Sequence, residues 1–239
     1  MDTIRICAEK KPKMIAHRGL SGIETENSLA AFVAAGNRDY YGVETDVHVT
    51  KDGRFVIFHD DETGRLCEEN LSVESSDFSS LRALKMKEMG GAFSDVQKIP
   101  TLAEYLRVMK RYEKNCIIEL KNPMAEKHIE EIVCECRREY DLERIVFISF
   151  SYENLVCLRK LLPRQRLQFL TGTCAPDLTE KLRRYSLDLD IEYNAVTKEL
   201  VAEMHANGII VNCWTCDDEK TAMRLIDCGV DMITTNRLQ

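Results

Sequence analysis

Long apolar runs are missing from this chain. Nothing approaches the ~18 consecutive apolar residues that cross a bilayer, and the charged start from Met1 to Lys13 holds no apolar core of signal-peptide length. These absences predict a cytoplasmic protein without stable membrane insertion. An excess of basic charge is missing too: 33 Lys and Arg stand against 40 Asp and Glu, for a net charge of −7. Such a chain repels nucleic acid and anionic lipid as a whole, so no nucleic-acid partner is expected and an anionic ligand needs a local basic spot. Aromatics make up only 7%, and Trp214 is the single tryptophan. A second CxxC pair is absent. Cys213 and Cys216 have that spacing alone, and Cys134 and Cys136, two apart on a helical pattern, point to different faces. The ten cysteines are scattered through apolar segments of a long chain, which reads as reduced thiols and not as a disulfide framework, and the two close pairs read as buried small hydrophobes and not as a zinc or redox site. No linker or internal repeat interrupts the sequence.

What is present is an alternation. Of 239 residues, 44% are hydrophobic, enough for one large core over residues 1–239. Eight short apolar runs recur: Met14–Ala16, Gly42–Val49, Cys116–Leu120, Ile145–Phe150, Leu167–Thr171, Leu187–Ile191, Ile209–Trp214 and Met232–Thr235. Helical patterns lie between them. Thr101 and Glu104 form a capping box, Asp177 starts a helix, and Gly208 and Gly229 stand where helices should stop. Eight strands alternating with helices predict an α/β fold, a (β/α)8 TIM barrel. The alternative, a doubly wound open sheet, lacks a nucleotide-binding glycine fingerprint after its first strand. Asp52-Gly53 marks a hairpin that leads into Arg54–Phe58, and a small, polar insertion follows at about 60–98, after strand two. The chain stops too soon after the eighth run for an eighth outer helix; the N-terminal segment is the candidate to cover that gap.

In such a barrel, chemistry sits at the C-terminal ends of the strands. Those ends carry His17 and Arg18, then Glu44 and Asp46, then Glu119 and Lys121, with Trp214 on the seventh strand. Glu44 and Asp46 are two apart and share a face, as do Glu119 and Lys121. Carboxylates inside doubly buried strands are costly unless paired or bound to a cation. Three hard oxygen donors suit Mg²⁺, Ca²⁺ or Mn²⁺; the plainer reading pairs them with Arg18 and Lys121 in an ion network. A two-residue turn at Asp52-Gly53 places His59 opposite Asp46, whereas a three-residue loop with a bulge places Phe58 there. His17 and His59 beside a metal-bound phosphate make an acid–base pair for cleaving a phosphodiester. His48 shares the face of Glu44 and Asp46 and is a lesser candidate; His128 and His205 sit on helical patterns and read as surface residues.

The ordered set Ala16-His17-Arg18-Gly19, Glu26-Asn27-Ser28, Glu44-Thr45-Asp46-Val47, Thr50-Lys51-Asp52-Gly53 and Phe58-His59-Asp60 resembles the glycerophosphodiester phosphodiesterase family. Ile99-Pro100-Thr101-Leu102, Glu119-Leu120-Lys121, Ile148-Ser149-Phe150, Trp214-Thr215, Gly229-Val230-Asp231 and Thr235-Asn236-Arg237 extend the likeness to nearly the whole chain. The resemblance implies a β/α barrel with one divalent cation held by Glu44, Asp46 and Glu119. It implies His17 and His59 as acid and base, Arg18 and Lys121 on phosphate, and Trp214 on the glycerol or head-group side. It further implies hydrolysis of glycerophosphodiesters such as glycerophosphocholine or glycerophosphoethanolamine to glycerol 3-phosphate and an alcohol, through a cyclic phosphate formed by the glycerol 2-hydroxyl. Thr25 and Ser28 replace the family's usual proline and threonine around the Glu-Asn pair. Two other readings compete: a barrel phospholipase acting on lysophospholipid, and a non-catalytic barrel binding sugar phosphates.

Overall fold

The computed structural model describes residues 2–239; Met1, which the sequence reading included in the 1–239 unit and in the charged start, lies outside the described residues. All eight expected runs form strands. β1 (Lys13–Ala16), β2 (Gly42–Val49), β4 (Asn115–Leu120), β5 (Ile145–Ser149), β6 (Arg166–Thr171), β7 (Asp188–Glu192), β8 (Val211–Trp214) and β9 (Met232–Thr235) pair in parallel in that order, and β9 returns to β1. The sheet therefore closes into a (β/α)8 TIM barrel, with β3 (Phe55–Ile57) added antiparallel on β2.

The barrel strands bury both faces, and alternate residues serve two cores. One parity of β2, Val43 and Val47, joins the large outer core against the helices α1 (Leu29–Gly36), α3 (Leu102–Arg111), α4 (Glu126–Glu139), α5 (Tyr152–Leu161), α6 (Leu178–Arg184), α7 (Lys198–Ala206) and α8 (Glu219–Cys228). The barrel's interior floor is a smaller apolar plug of Ile15, Ile117, Val146, Ile148, Leu170 and Met232. Helix boundaries follow local chemistry. Thr101 and Glu104 make the expected capping box on α3, Ser28 accepts from the Ala31 N–H to start α1, and Gly229 ends α8 in the left-handed region. Asp177 precedes α6 as expected, without a side-chain cap.

No helix follows β9. Its place is taken by two extended segments. The Ile4 and Ile6 N–H groups donate to the carbonyls of Arg237 and Gln239, and Gln239 N–H donates back to Ile4. Ile6 and Leu238 are buried in the outer core, so the N-terminal segment covers the flank as the sequence suggested.

The β2–β3 turn corrects one expectation. Gly53 N–H donates to Thr50 O and Thr50 N–H to Arg54 O, with Gly53 at φ +74°. This is a three-residue loop with a left-handed glycine bulge, and not a two-residue turn. The register shifts by one: Val49 faces Phe55 and Val47 faces Ile57, and Phe58 N–H donates to Asp46 O. Phe58 and not His59 lies opposite Asp46. Phe58 and Val56 instead seed the core of the insertion with Cys67, Val73, Leu81 of α2 (Phe78–Ala83), Leu84, Met86 and Ile99. No helix among the described residues is long and apolar enough to cross a membrane.

Candidate active site

At the C-terminal ends of β2 and β4, register alone brings the carboxylates together. Asp46 pairs directly with Glu119, and Glu44, two residues earlier on β2, points the same way. One oxygen from each of Glu44, Asp46 and Glu119 lies within 4.8 Å of the others. All three are buried, and Asp46 Oδ1 has no hydrogen-bond partner. Burial, then the charges of Asp46 and Glu119, pushes the Glu44 carboxyl well above its usual range. Burial and Asp46 push Glu119 up to about 7 against the pull of Lys121. Asp46 is also buried, but Lys121, Arg18, His59 and a hydrogen bond from Asn27 outweigh that and hold it below its usual range. Three crowded buried oxygens, one of them orphaned, fit a hard divalent cation.

Two cations flank the cluster. Lys121 Nζ lies 2.9 Å from Glu119 Oε1 and 3.4 Å from Asp46 Oδ1. Arg18 Nε lies 3.5 Å from Asp46 Oδ2, and its Nη1 donates to Glu26 Oε1 at 2.8 Å. The plain ion-network reading is thus partly realised, yet Arg18 Nε and Asp46 Oδ1 both remain without hydrogen bonds. The turn after β1 presents Arg18: residues Arg18 and Gly19 take φ of +53° and +78°. Arg18 N–H then donates to Glu44 Oε2 at 2.8 Å. A Cβ on Gly19 would lie 2.6 Å from Ala31 Cβ, so this turn requires glycine.

His17 follows β1, and its Nδ1 lies 2.8 Å from Asn236 Oδ1. The Asn236 amide is oriented by its other partners: Nδ2 donates to the Asp217 carboxylate at 2.5 Å, and Oδ1 accepts from Ser21 Oγ at 2.6 Å. His17 Nδ1 therefore carries the proton, and Nε2 is a free lone pair. Burial, then Arg18, lowers its pKa to about 4. His59 reaches the site despite the shifted register, because β3 ends at Ile57 and the chain bends at residues 59 and 60. Its Nδ1 donates to Asp60 Oδ1 at 2.6 Å; Asp60 Oδ2 accepts from Arg65 Nε at 2.6 Å. Burial and the cations Arg18 and Lys121 lower His59's pKa, opposed by Asp46 and Asp60.

Trp214 ends β8 and meets Phe150 edge-on, with ring centroids 5.6 Å apart. One cavity of ≈ 60 Å³ is lined by His17, Arg18, Glu44, His59, Glu119 and Trp214 among others. Lys121 does not line this cavity; it contacts Glu119 and Asp46 and lines a neighbouring cleft that shares Glu119 and Phe150. His48 does not join the carboxylates: it is fully buried, with Nδ1 at 2.9 Å from Glu74 Oε1 and Nε2 at 3.4 Å from the His59 carbonyl, and braces the His59 bend. His128 and His205 sit on α4 and α7 beside Glu131 and Asp231, as surface histidines. Cys134 is exposed and Cys136 buried, and Cys213 and Cys216 are buried free thiols.

Sequence reasoning missed several supports. Asn27 Nδ2 donates to Asp46 Oδ2 at 2.8 Å while its Oδ1 accepts from Thr45 Oγ1. Glu26 joins Arg18 to Arg65, and Asn236 holds His17. Glu26, Asn27 and Asn236 stood in recognisable motifs, but nothing in their spacing named their partners. Asp190, buried and facing the cavity, gave no signal at all.

The model of the Glycerophosphoryl diester phosphodiesterase family matches residues 17–239. The chain is 32% identical over 234 residues to a glycerophosphodiester phosphodiesterase of Caldanaerobacter subterraneus subsp. tengcongensis, covering 95% of this chain and 94% of that one. It is 31% identical over 230 residues to one from Bacillus altitudinis, covering 94% of each. Among solved structures, an Oleispira antarctica phosphodiesterase in complex with the product sn-glycerol-3-phosphate matches with a TM-score of 0.87 and 28% identity, over 95% of this chain and 93% of that one.

Proposed function

This chain belongs to the glycerophosphoryl diester phosphodiesterase family, and from that premise we propose that it hydrolyses glycerophosphodiesters such as glycerophosphocholine and glycerophosphoethanolamine to glycerol 3-phosphate and an alcohol. The observation that carries the reading is a pair of histidines, each with Nδ1 held by its own partner, lining one cavity beside three crowded carboxylates.

Glu44, Asp46 and Glu119 would hold one divalent cation, Mg²⁺, Ca²⁺ or Mn²⁺, through hard oxygen donors. Bound there, it supplies positive charge against the carboxylates and against the charge that builds on the phosphoryl oxygens. Arg18, which lines the cavity, and Lys121, which flanks the carboxylates, would hold the phosphate and stabilise the same charge. Trp214 gives the cavity an apolar wall against which the carbon chain of the substrate rests.

The partners of the two rings separate their roles. Burial and the Arg18 charge outweigh the hydrogen bond to the neutral Asn236 carboxamide, so His17 Nε2 stays an unprotonated base at neutral pH. Burial and the cations lower the pKa of His59 as well, but the Asp46 charge and the Asp60 carboxylate behind its Nδ1 oppose them, so His59 is the ring better placed to carry a proton. His17 therefore takes the proton of the glycerol 2-hydroxyl as that oxygen attacks phosphorus. The bond from phosphorus to the leaving alcohol breaks, and His59 Nε2 gives that oxygen a proton. A neighbouring hydroxyl is favoured by its large effective concentration. Water then opens the cyclic phosphate with the two rings exchanging roles, which returns both to their starting state and leaves glycerol 3-phosphate. Ten free cysteines fit a reducing compartment such as the cytoplasm.

The test is cation-dependent release of glycerol 3-phosphate across a panel of glycerophosphodiesters, with lysophospholipid as the competitor. Release from glycerophosphocholine or glycerophosphoethanolamine that ceases in excess chelator supports the reading. Faster turnover of the lysophospholipid overturns it in favour of a phospholipase, and binding without turnover of any diester favours a sugar-phosphate-binding barrel.

A further inference from the structure

One carboxyl in the cavity has no part in the chemistry above. Asp190 lies on β7, level with Leu170 on β6 and Asn212 on β8, and its side chain is 1% exposed. Its Oδ1 has no hydrogen-bond partner. It lines the same cavity as His17, Glu44 and Glu119, on a wall otherwise made of Ile148, Leu170 and Trp214, with Thr234 beside them. The other buried polar groups at this level are satisfied by one another: Asn212 Nδ2 donates to Gln168 Oε1 and bonds Thr234 Oγ1, each at 3.3 Å. Asp190 Oδ1 is left without a partner among them.

The fold gives no reason for an acid here. Leu170 beside it belongs to an apolar plug, and a buried carboxyl oxygen without a partner forfeits hydration with no return. The cluster of Glu44, Asp46 and Glu119 does not include it. Burial, then the charge of Glu119, pushes its carboxyl well above the usual range against the pull of Asn212. A neutral carboxyl offers both a donor and acceptors. The missing partner is therefore expected from a ligand.

The cavity, ≈ 60 Å³, holds about four to six waters at ~10–15 Å³ each, the bulk of a three-carbon polyol. Its wall sets one carboxyl and one hydroxyl among apolar side chains, which matches a molecule with C–H edges and a terminal hydroxyl. We propose that Asp190 is a specificity residue that hydrogen-bonds the terminal hydroxyl of the substrate's glycerol moiety and so selects a glycerol end over a deoxy one. The proposal rests on the glycerophosphodiester reading and deepens it.

The experiment compares kcat/KM for glycerophosphocholine with that for the analogue built on propane-1,2-diol, which keeps the 2-hydroxyl and lacks only the terminal one. The wild-type chain should favour glycerophosphocholine by about 10–10²-fold, because an analogue without the hydroxyl leaves Asp190 unpaired. In Asp190→Leu that ratio should collapse toward one, chiefly through KM for glycerophosphocholine. Asp190→Asn, which preserves shape and hydrogen bonding, should retain part of it and guards against a folding defect in the leucine variant. Equal turnover of both substrates by the wild type overturns the proposal, as does a variant that slows both substrates equally at an unchanged ratio. If the wild type cleaves neither diester but cleaves lysophospholipid, the underlying reading fails, and the proposal fails with it; that result is distinct from loss of discrimination alone.

Discussion

Adding a divalent cation to the chelated protein should raise its melting temperature by roughly 5–11 °C at a free concentration near 100 times Kd. The magnitude follows from the charge count at the site. Glu44, Asp46 and Glu119 bring three potential negative charges, Arg18 and Lys121 two positive ones, and Asp46 Oδ1 has no hydrogen bond. The metal-free cluster relieves this only by keeping protons: Glu44 is held well above its usual range and Glu119 at about 7. A dication turns that repulsion into attraction, so it binds the folded chain and not the unfolded one. Such linkage is worth about 2.7 kcal/mol at 100 times Kd, and a chain of this size gains about 2–4 °C per kcal/mol. Glu44→Gln should reverse the picture. It keeps an oxygen to accept the Arg18 N–H and removes a carboxyl that the chelated fold can hold only by keeping it protonated, so the chelated variant should melt about 2–4 °C higher than chelated wild type, for about 1 kcal/mol, and should lose most of the cation response. Thermal unfolding in chelator, then with Mg²⁺, Ca²⁺ or Mn²⁺, reads both effects. If no cation shifts the wild type by more than about 1 °C, or if Glu44→Gln and Asp46→Asn respond like wild type, the three carboxylates are not a cation site.

Other consequences can be checked directly. His17→Ala and His59→Ala should each slow turnover by about 10²–10⁴-fold with the fold intact by circular dichroism; unchanged turnover in either removes that ring from the chemistry. Asn236→Ala should free His17 to take either tautomer and lower kcat by about 10–10²-fold with KM little changed; steady-state kinetics would expose the opposite split. His17 also makes stability pH-dependent. Its folded pKa of about 4 lies below the 6.5 of an ordinary histidine, so the unfolded chain binds the proton first. Stability is therefore full above pH 6.5 and falls as pH drops toward 4, by at most about 3 kcal/mol, less because the ring edge meets the cavity. Urea unfolding of wild type and His17→Gln at several pH values in chelator should show a flatter acid limb in the variant.

The barrel was legible because its strands are short apolar runs between helices with marked ends; the capping box at Thr101 and Glu104 and the left-handed Gly229 sit where the sequence put them. Glu44, Asp46 and Glu119 meet for the same reason: they lie at strand ends, where backbone register does the gathering. The hairpin was harder. Asp-Gly suits either a two-residue turn or a loop closed by a glycine bulge, and a single residue separates Phe58 from His59 opposite Asp46. His59 still arrives because the chain bends after β3, a tertiary outcome shaped by the insertion core that Phe58 enters. Asp190 was invisible for another reason. In Leu187-Asp188-Leu189-Asp190-Ile191 the alternation reads as acids facing water, whereas a closed barrel turns that parity inward. Asn236 was named in a motif, but its partner is 219 residues away.

Arg65 belongs to the insertion, yet its guanidinium grips Asp60 behind His59 and Glu26 behind Arg18. Loops at the mouth of a β/α barrel are commonly the exchangeable part, free to vary while the strands keep the chemistry. In this chain that freedom is curtailed. Grafting in another segment to admit a different head group would also unfasten His59 and Arg18, since the partners of both are steadied by the same side chain. Substrate range and catalytic competence are consequently inherited together, and a donor loop that keeps an arginine at this position should transplant where one without it fails.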